Sequence, residues 1–360
     1  MSKIPISVCI IAKNEENHIE ECLKKIKPYG FEVIVTDTGS TDRTKELVIK
    51  YADKVLDFAW TQNFSAARNY CAMHASHDWI LALDCDEYVS KADIPALRQL
   101  ICHELNCMAT GALQLKNIII RQDGSQGYAR DIVPRFYNRK YFMYEKPVHE
   151  QLVPKPFVSI KEPQSFLLPI EAVHYGYALS QEEMRCKQER NLRLLYHQLE
   201  SEGETPYICF QIGQSELVLK HCDKAIAYYE RGLSYGESGS LIYVQQMIEG
   251  LAKAYIITGR RKDALVLMEK YEPECDSAKY VFYHANVLMD NKEPLKALVK
   301  YVKATMMHDT HMLGDELLYC YQHIIEIYHE LGEDELAGIF KEKYAVCLKE
   351  REEDEFKQSV

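Results

Sequence analysis

An α/β domain built on a mostly parallel sheet, followed by an all-helical repeat domain, is the fold predicted by this 360-residue sequence. Three observations predict it. Short apolar runs alternate with helix-period stretches up to about residue 90; strand-like pieces broken by prolines follow to about residue 178; from residue 181 the pattern is helical, with small residues recurring at related places. The length exceeds the ~100 to 200 residues typical of one domain. The expected boundaries are 1–180 for the α/β domain, 181–204 for a linking helix and 205–350 for the helical repeats.

Ile6 to Ala12 is an unbroken apolar run of strand length, and Ile19, Cys22, Leu23 and Ile26 then recur on one face of a helix. The cycle repeats. Phe31 to Thr36 is a strand; Ser40, Thr41 and Asp42 offer caps for a helix carrying Leu47, Val48 and Tyr51; Val55 to Phe58 is a short strand. Ala66, Ala67, Tyr70 and Cys71 mark a further helix, and Trp79 to Leu83 a buried strand. Such alternation implies helices on both faces of the sheet, with ligands beyond the carboxyl ends of the strands. Ala112 to Ile120 and Val133 to Tyr137 read as strands in an irregular second half interrupted by Pro147, Pro154, Pro156, Pro163 and Pro169.

In the helical half, Gly213 and Ala225, Ala252 and Ala264, Ala285 and Ala297, and finally Ala337 hold comparable places, although the step between equivalent alanines wanders. Small residues there let paired antiparallel helices approach, while Tyr and Leu fill the space between them. The segment resembles divergent tetratricopeptide repeats. The resemblance implies a binding and assembly architecture and a homodimer through the repeats.

The formal net charge of -11 repels a phosphate backbone, and no basic run carries interleaved aromatics, so nucleic acid is excluded as the expected partner. The twelve cysteines are scattered without a C-x-x-C pair and read as reduced core thiols. The apolar run from Ile4 to Ala12 is too short for a membrane span and lacks a small-residue cleavage site, so a cytoplasmic protein is expected.

Three strand exits carry candidate chemistry. Trp79-Ile-Leu-Ala-Leu-Asp84-Cys85-Asp86-Glu87 ends an apolar strand in two carboxylates one residue apart. If the pleat persists through Asp86, both side chains share a face and converge on a hard divalent cation and the diphosphate it holds. Val33-Ile-Val-Thr36-Asp37-Thr38-Gly39-Ser40-Thr41-Asp42 delivers Asp37 at a strand end, where it can accept hydrogen bonds from a base or ribose; Asp42 is read as structural. At the first exit, Ile10-Ile11-Ala12-Lys13-Asn14-Glu15, Ala12 leaves room for a flat base and Glu15 can partner a basic group.

Together these segments resemble the inverting glycosyltransferase family 2, whose fold is called GT-A. The resemblance implies binding of a nucleoside diphosphate sugar, UDP-linked in the expected case, with Mg2+ or Mn2+, and places Ala12, Asn14, Glu15, Asp37, Arg68, Asp84 and Asp86 at the donor. The usual second acid after Asp37 is replaced by Thr38, so base recognition rests on Asp37. Asn63-Phe64-Ser65-Ala-Ala-Arg68-Asn69 is similar to the segment preceding the family's metal strand, which implies that Arg68 faces the diphosphate. Arg135-Phe136-Tyr137 and Val148-His149-Glu150 are similar to segments of a subgroup that includes bacterial lipopolysaccharide-core and peptide glycosyltransferases. Displacement at an anomeric carbon needs a base for the acceptor's proton, for which Glu150 is the candidate and Asp131 the alternative. His174 is implied as a further metal ligand, so that Asp86 and His174 hold the cation and Asp84 lies towards the ribose or behind the metal. The implied acceptor is a glycan, a lipid-linked molecule, or a peptide or protein. The rival reading is a non-catalytic scaffold whose sugar-nucleotide domain is degenerate. A nucleotidyltransferase would need a Gly-rich phosphate loop, and neither common pattern is present.

Overall fold

The computed structural model describes residues 4–120, 126–160, 163–176 and 181–359. Two compact units divide the chain, Met1–Leu179 and Ser180–Val360. The expected boundary at residue 180 lies outside the described residues.

Chain order in the first unit is β1 (Ile6–Ala12), α1 (Ile19–Ile26), β2 (Glu32–Asp37), α2 (Thr44–Ile49), β3 (Lys54–Asp57), α3 (Phe64–Met73), β4 (Trp79–Leu83), β5 (Glu87–Ala92), α4 (Ile94–Cys102), β6 (Ala109–Ile120), β7 (Gln126–Asn138), β8 (Phe142–Glu145), β9 (Gln151–Pro154) and β10 (Gln164–His174). Among the described residues the main sheet runs β3-β2-β1-β4-β7-β6-β10-β5, and β8 pairs β9 as a separate hairpin. The neighbours among β3, β2, β1 and β4 are parallel, as are β6 and β10; β7 and β5 run against them.

Alternation along β1 shows why both faces need helices. Ile6, Val8 and Ile10 enter one apolar cluster with Ile19, Leu23 and Ile26 of α1 and with Leu47 and Val48 of α2. Cys9 points the other way, into a cluster with Cys71 and Ala72 of α3.

The proline-broken half is more regular than its sequence predicts. β7 and β10 each run through a proline, Pro134 beside the register shift at Gly111/Ala112 and Pro169 within the shift between Leu167 and Glu171. A bulge tolerates the missing donor, so these prolines mark irregularities inside strands instead of loops between them. β5 and α4 were not anticipated either: Ser90 and Lys91 make β5 polar at the sheet's edge, while Asp93 caps α4 by accepting from the Ala96 amide.

At the amino ends of the strands, Glu32 accepts from Ser7 Oγ at 2.5 Å and Ser76 Oγ at 2.6 Å and pairs with Lys54 at 3.0 Å. Burial alone would raise its pKa, but these donors hold it down at about 2.

The second unit is all-helical: α5 (Gln181–Glu202), α6 (Pro206–Val218), α7 (Cys222–Ser234), α8 (Ile242–Ile257), α9 (Arg261–Tyr271), α10 (Ala278–Asp290), α11 (Pro294–Ala304), α12 (Asp315–Glu330) and α13 (Asp334–Ser359). Helices α6 to α13 form pairs that resemble tetratricopeptide repeats, and the turn inside each pair proves the register. Lys220, Gly259, Lys292 and Gly332 all adopt positive φ there. The next residue's amide closes back on the helix in every case: His221 to Glu216, Arg260 to Tyr255, Glu293 to Leu288 and Glu333 to Tyr328. Five residues beyond each positive-φ position stands a fully buried alanine, Ala225, Ala264, Ala297 and Ala337. The alanine steps wander because helix lengths and links differ: α8 and α12 have 16 residues each against 13 for α10, and the link 305–314 is longer than 272–277.

All twelve cysteines are free thiols; Cys9, Cys22, Cys71 and Cys85 are buried in the first unit, while Cys102 and Cys186 are exposed. No helix among the described residues is long and apolar enough to cross a membrane.

Candidate active site

The loops after β1 and β2 lock onto each other. Asn14, at φ 56°, donates its amide to Ser40 Oγ and accepts the Thr41 amide at 2.8 Å through Oδ1; the Glu15 amide bonds Thr44 Oγ1 at 2.7 Å and the Glu16 amide bonds Asp42 Oδ2. Ser40, Thr41 and Asp42 thus mainly join two loops, and Asp42 also accepts the Thr44 amide at the entry to α2. Ala12 is paired with Asp37 across β1 and β2, and its carbonyl accepts from both the Thr38 amide and Thr38 Oγ1. Asp37 spends Oδ1 on the amides of Gly39 and Ser40, while Oδ2 is buried without a hydrogen-bond partner. A buried carboxylate oxygen left unpaired is costly, and a base N–H or a ribose hydroxyl would satisfy it.

Between Asp84 and Asp86 the pleat does not persist. β4 ends at Leu83, and the Glu87 amide returns to the Asp84 carbonyl at 3.1 Å, closing a turn that sends the two acids to different partners. Asp84 accepts from Arg68 Nη2 at 2.5 Å through Oδ1 and from Arg135 Nη2 at 2.6 Å through Oδ2. Arg135 Nη2 also reaches Glu87 Oε1 at 2.7 Å, and Arg68 Nε reaches Glu150 Oε1 at 2.6 Å. Five charged side chains thus alternate in sign from Glu150 to Glu87. Arg68 is 5% exposed and Glu87 fully buried. Burial disfavours the charged forms of Asp84 and Glu150, but the arginines outweigh it and hold both carboxyls below the usual range.

The segment Asn63 to Asn69 builds this arrangement locally. Asn63 caps α3; Ser65 Oγ bonds the Lys146 carbonyl; the Asn69 side chain both accepts the Tyr144 amide and donates to the Tyr144 carbonyl. The β8–β9 hairpin is pinned to α3 by these bonds, and its turn carries Glu150 to Arg68. The Arg68 guanidinium lies 5.4 Å from the Tyr144 ring centre. Asp131, the alternative base, lies exposed on β7.

Asp86 turns towards the end of β10. His174 Nε2 stands 3.6 Å from Asp86 Oδ2, and the Tyr175 amide bonds the Asp86 carbonyl at 3.0 Å. His174 Nδ1 bonds Asn117 Oδ1 at 2.7 Å. A Cβ on Gly176 would collide with both Asp86 Oδ2 and His174 Nε2, so a glycine keeps their meeting place clear. Burial lowers the His174 pKa, but the Asp86 contact more than offsets it and the net shift is upward. A carboxylate oxygen and an imidazole nitrogen converging beside a cleared space suit Mg2+ or, with its greater tolerance of nitrogen, Mn2+. Among the described residues no third His, Cys, Asp or Glu completes a cage, so a cation held here would take its remaining ligands from substrate and water.

Sequence reasoning gave no role to Arg135, Glu87, Asn117, Tyr144 or Gly176. Arg135 and Glu87 sat inside quoted segments; Asn117 had one signal, a polar residue within an apolar strand.

Residues 7–143 match the family model described as "Glycosyl transferase family 2". A TPR repeat-containing protein of Synechococcus elongatus is 29% identical over 237 residues, 64% of this chain and 57% of that protein. The SPbeta prophage-derived glycosyltransferase SunS of Bacillus subtilis (strain 168) is 25% identical over 240 residues, 65% of this chain and 54% of its own. Among solved structures, the crystal structure of MamA overlaps 48% of this chain and 96% of its own at 14% identity and a TM-score of 0.40. The chain spans about half the length of the curated relatives it matches. The match to glycosyl transferase family 2 falls within the N-terminal unit, where residues 7–143 carry it.

Proposed function

We propose that the N-terminal unit transfers a sugar from a nucleoside diphosphate sugar, UDP-linked, to an acceptor nucleophile, with inversion at the anomeric carbon. The observation that carries this reading is the convergence of Asp86 and His174 at 3.6 Å beside Gly176, on the sheet that also presents the unpaired Asp37 oxygen. Asp37 Oδ2 receives an N–H or O–H of the nucleoside, next to the small Ala12. Asp86 and His174 hold a divalent cation. When bound, that ion supplies positive charge against the departing diphosphate.

In a single displacement, the acceptor atom bonds to the anomeric carbon on the face opposite the diphosphate, the bond from that carbon to the diphosphate oxygen breaks, and the acceptor's proton passes to Glu150. Contact with Arg68 keeps Glu150 ionised and therefore able to take that proton. Arg68 retains one buried donor without a hydrogen-bond partner, Nη1, for a substrate oxygen. The acceptor is a glycan, a lipid-linked molecule, or a peptide or protein, and the helical pairs serve its recognition or assembly.

The test is hydrolysis of a panel of UDP-sugars with Mn2+ and with EDTA, on wild type and Asp86→Ala. Wild type is expected to turn over one donor only with metal, and Asp86→Ala to lose at least about 100-fold. Equal turnover in both proteins would end the cation assignment. The scaffold reading predicts no turnover in either.

A further inference from the structure

We infer that Asn117 is a positioning residue that fixes His174 as its Nδ1–H tautomer and so presents Nε2, with its lone pair, to the cation shared with Asp86. This rests on the cation reading above and adds a residue to it.

The geometry starts from register. β6 and β10 are parallel neighbours in which Asn117 and His174 are direct partners, so two residues 57 apart in sequence are placed side by side by the sheet itself. Asn117 is 6% exposed between the apolar positions Leu115 and Ile118. A primary amide buried without partners loses its hydrogen bonds to water and gains none in exchange. A site there holds Asn only if its polar atoms have work, and Oδ1 meets His174 Nδ1 at 2.7 Å.

A carbonyl oxygen only accepts, so the Nδ1 facing it carries the hydrogen. In the neutral ring the lone pair then resides on Nε2, the nitrogen directed at Asp86. An imidazole that binds a metal through one nitrogen commonly donates from the other to a carbonyl or carboxylate, and removing such a partner costs about 10- to 100-fold in metal affinity. Gly176 clears the space on the Nε2 side and Asn117 sets the ring from the Nδ1 side.

The test needs no turnover. Long-range ¹H–¹⁵N NMR of the histidine rings in metal-free protein, at alkaline pH where His174 is neutral, reads the tautomer; a His174→Gln spectrum assigns the resonance. Calorimetric titration of Mn2+ in the presence of UDP reads affinity. Wild type is expected to show Nδ1–H; Asn117→Leu, close in volume but lacking the acceptor, loses that preference and about 10- to 100-fold in Mn2+ affinity. Asn117→Asp restores both, which a purely structural role would not produce. Should Asn117→Leu fail to fold, the wild-type spectrum and the Asn117→Asp titration still decide. An Nε2–H ring in wild type, or a folded Asn117→Leu that binds Mn2+ as wild type does, overturns the role of Asn117. A wild type that shows Nδ1–H and binds no Mn2+ overturns the cation reading instead.

Discussion

Arg68 and Arg135 set two positive charges against three carboxylates, Asp84, Glu87 and Glu150, at contacts of 2.5 to 2.7 Å. Desolvated charges of this kind are tolerable because each is paired, and removing one member leaves its partner uncompensated. The pairing also divides the labour of the two aspartates. Asp84→Asn should weaken its hold on both arginines and lower kcat while leaving Mn2+ affinity near wild type, and Glu150→Gln should keep UDP–Mn2+ binding while transfer falls about 10²- to 10⁴-fold. If Asp84→Asn loses Mn2+ as fully as Asp86→Ala does in the same titration, Asp84 joins the ion's direct ligands. Asp37, Asp84 and Asp86 were visible in sequence because each follows an apolar run. What sequence could not show was the turn at Asp84, which separates acids that a continued pleat would have put on one face. Asn117 was beyond reach for a related reason, since only the register of β6 against β10 gives it His174.

Among the elements, α8 is held to its neighbours through a ring. Tyr229 of α7 lies against Gly213 of α6 and Gly250 of α8, and a Cβ at Gly250 would stand 2.6 Å from the Tyr229 hydroxyl. Helix propensity alone favours Gly250→Ala by about 1 kcal/mol. The clash with a fully buried tyrosine wins, and the variant is expected to be destabilised by about 1 to 3 kcal/mol, read as a lower urea midpoint at unchanged m-value. A midpoint at or above wild type would mean that Tyr229 moves aside freely. The paired alanines betrayed these helices in sequence because close approach tolerates few side chains. β10 stayed hidden because Pro169 reads as a breaker, and only a partner strand shows that it occupies a register shift.

For the whole molecule, each unit closes a core of its own, one around the sheet and one among the helix pairs. Ligand binding at the sheet should therefore stabilise the first unit selectively. UDP with Mn2+ at a hundredfold excess over Kd is expected to add about 2.7 kcal/mol to that unit's unfolding transition, seen in calorimetry as one component moving upward while the other stays. A single component that moves as a whole would show the chain melting as one cooperative body. The pairing of a mostly parallel sheet with helical repeats was legible from periodicity, whereas the donor and acceptor were not, because neither periodicity nor charge encodes them. The burial of the thiols has a practical corollary. Cys102 ends α4 in the first unit and Cys186 lies on α5 in the second, both open to reagents, while Cys22 and Cys85 are shielded and their burial pushes the thiols up. Each unit thus offers one exposed thiol, beside half-buried ones at Cys107, Cys222 and Cys347, and a fluorophore pair coupled to Cys102 and Cys186 turns the native protein into a ruler for the separation of its two units.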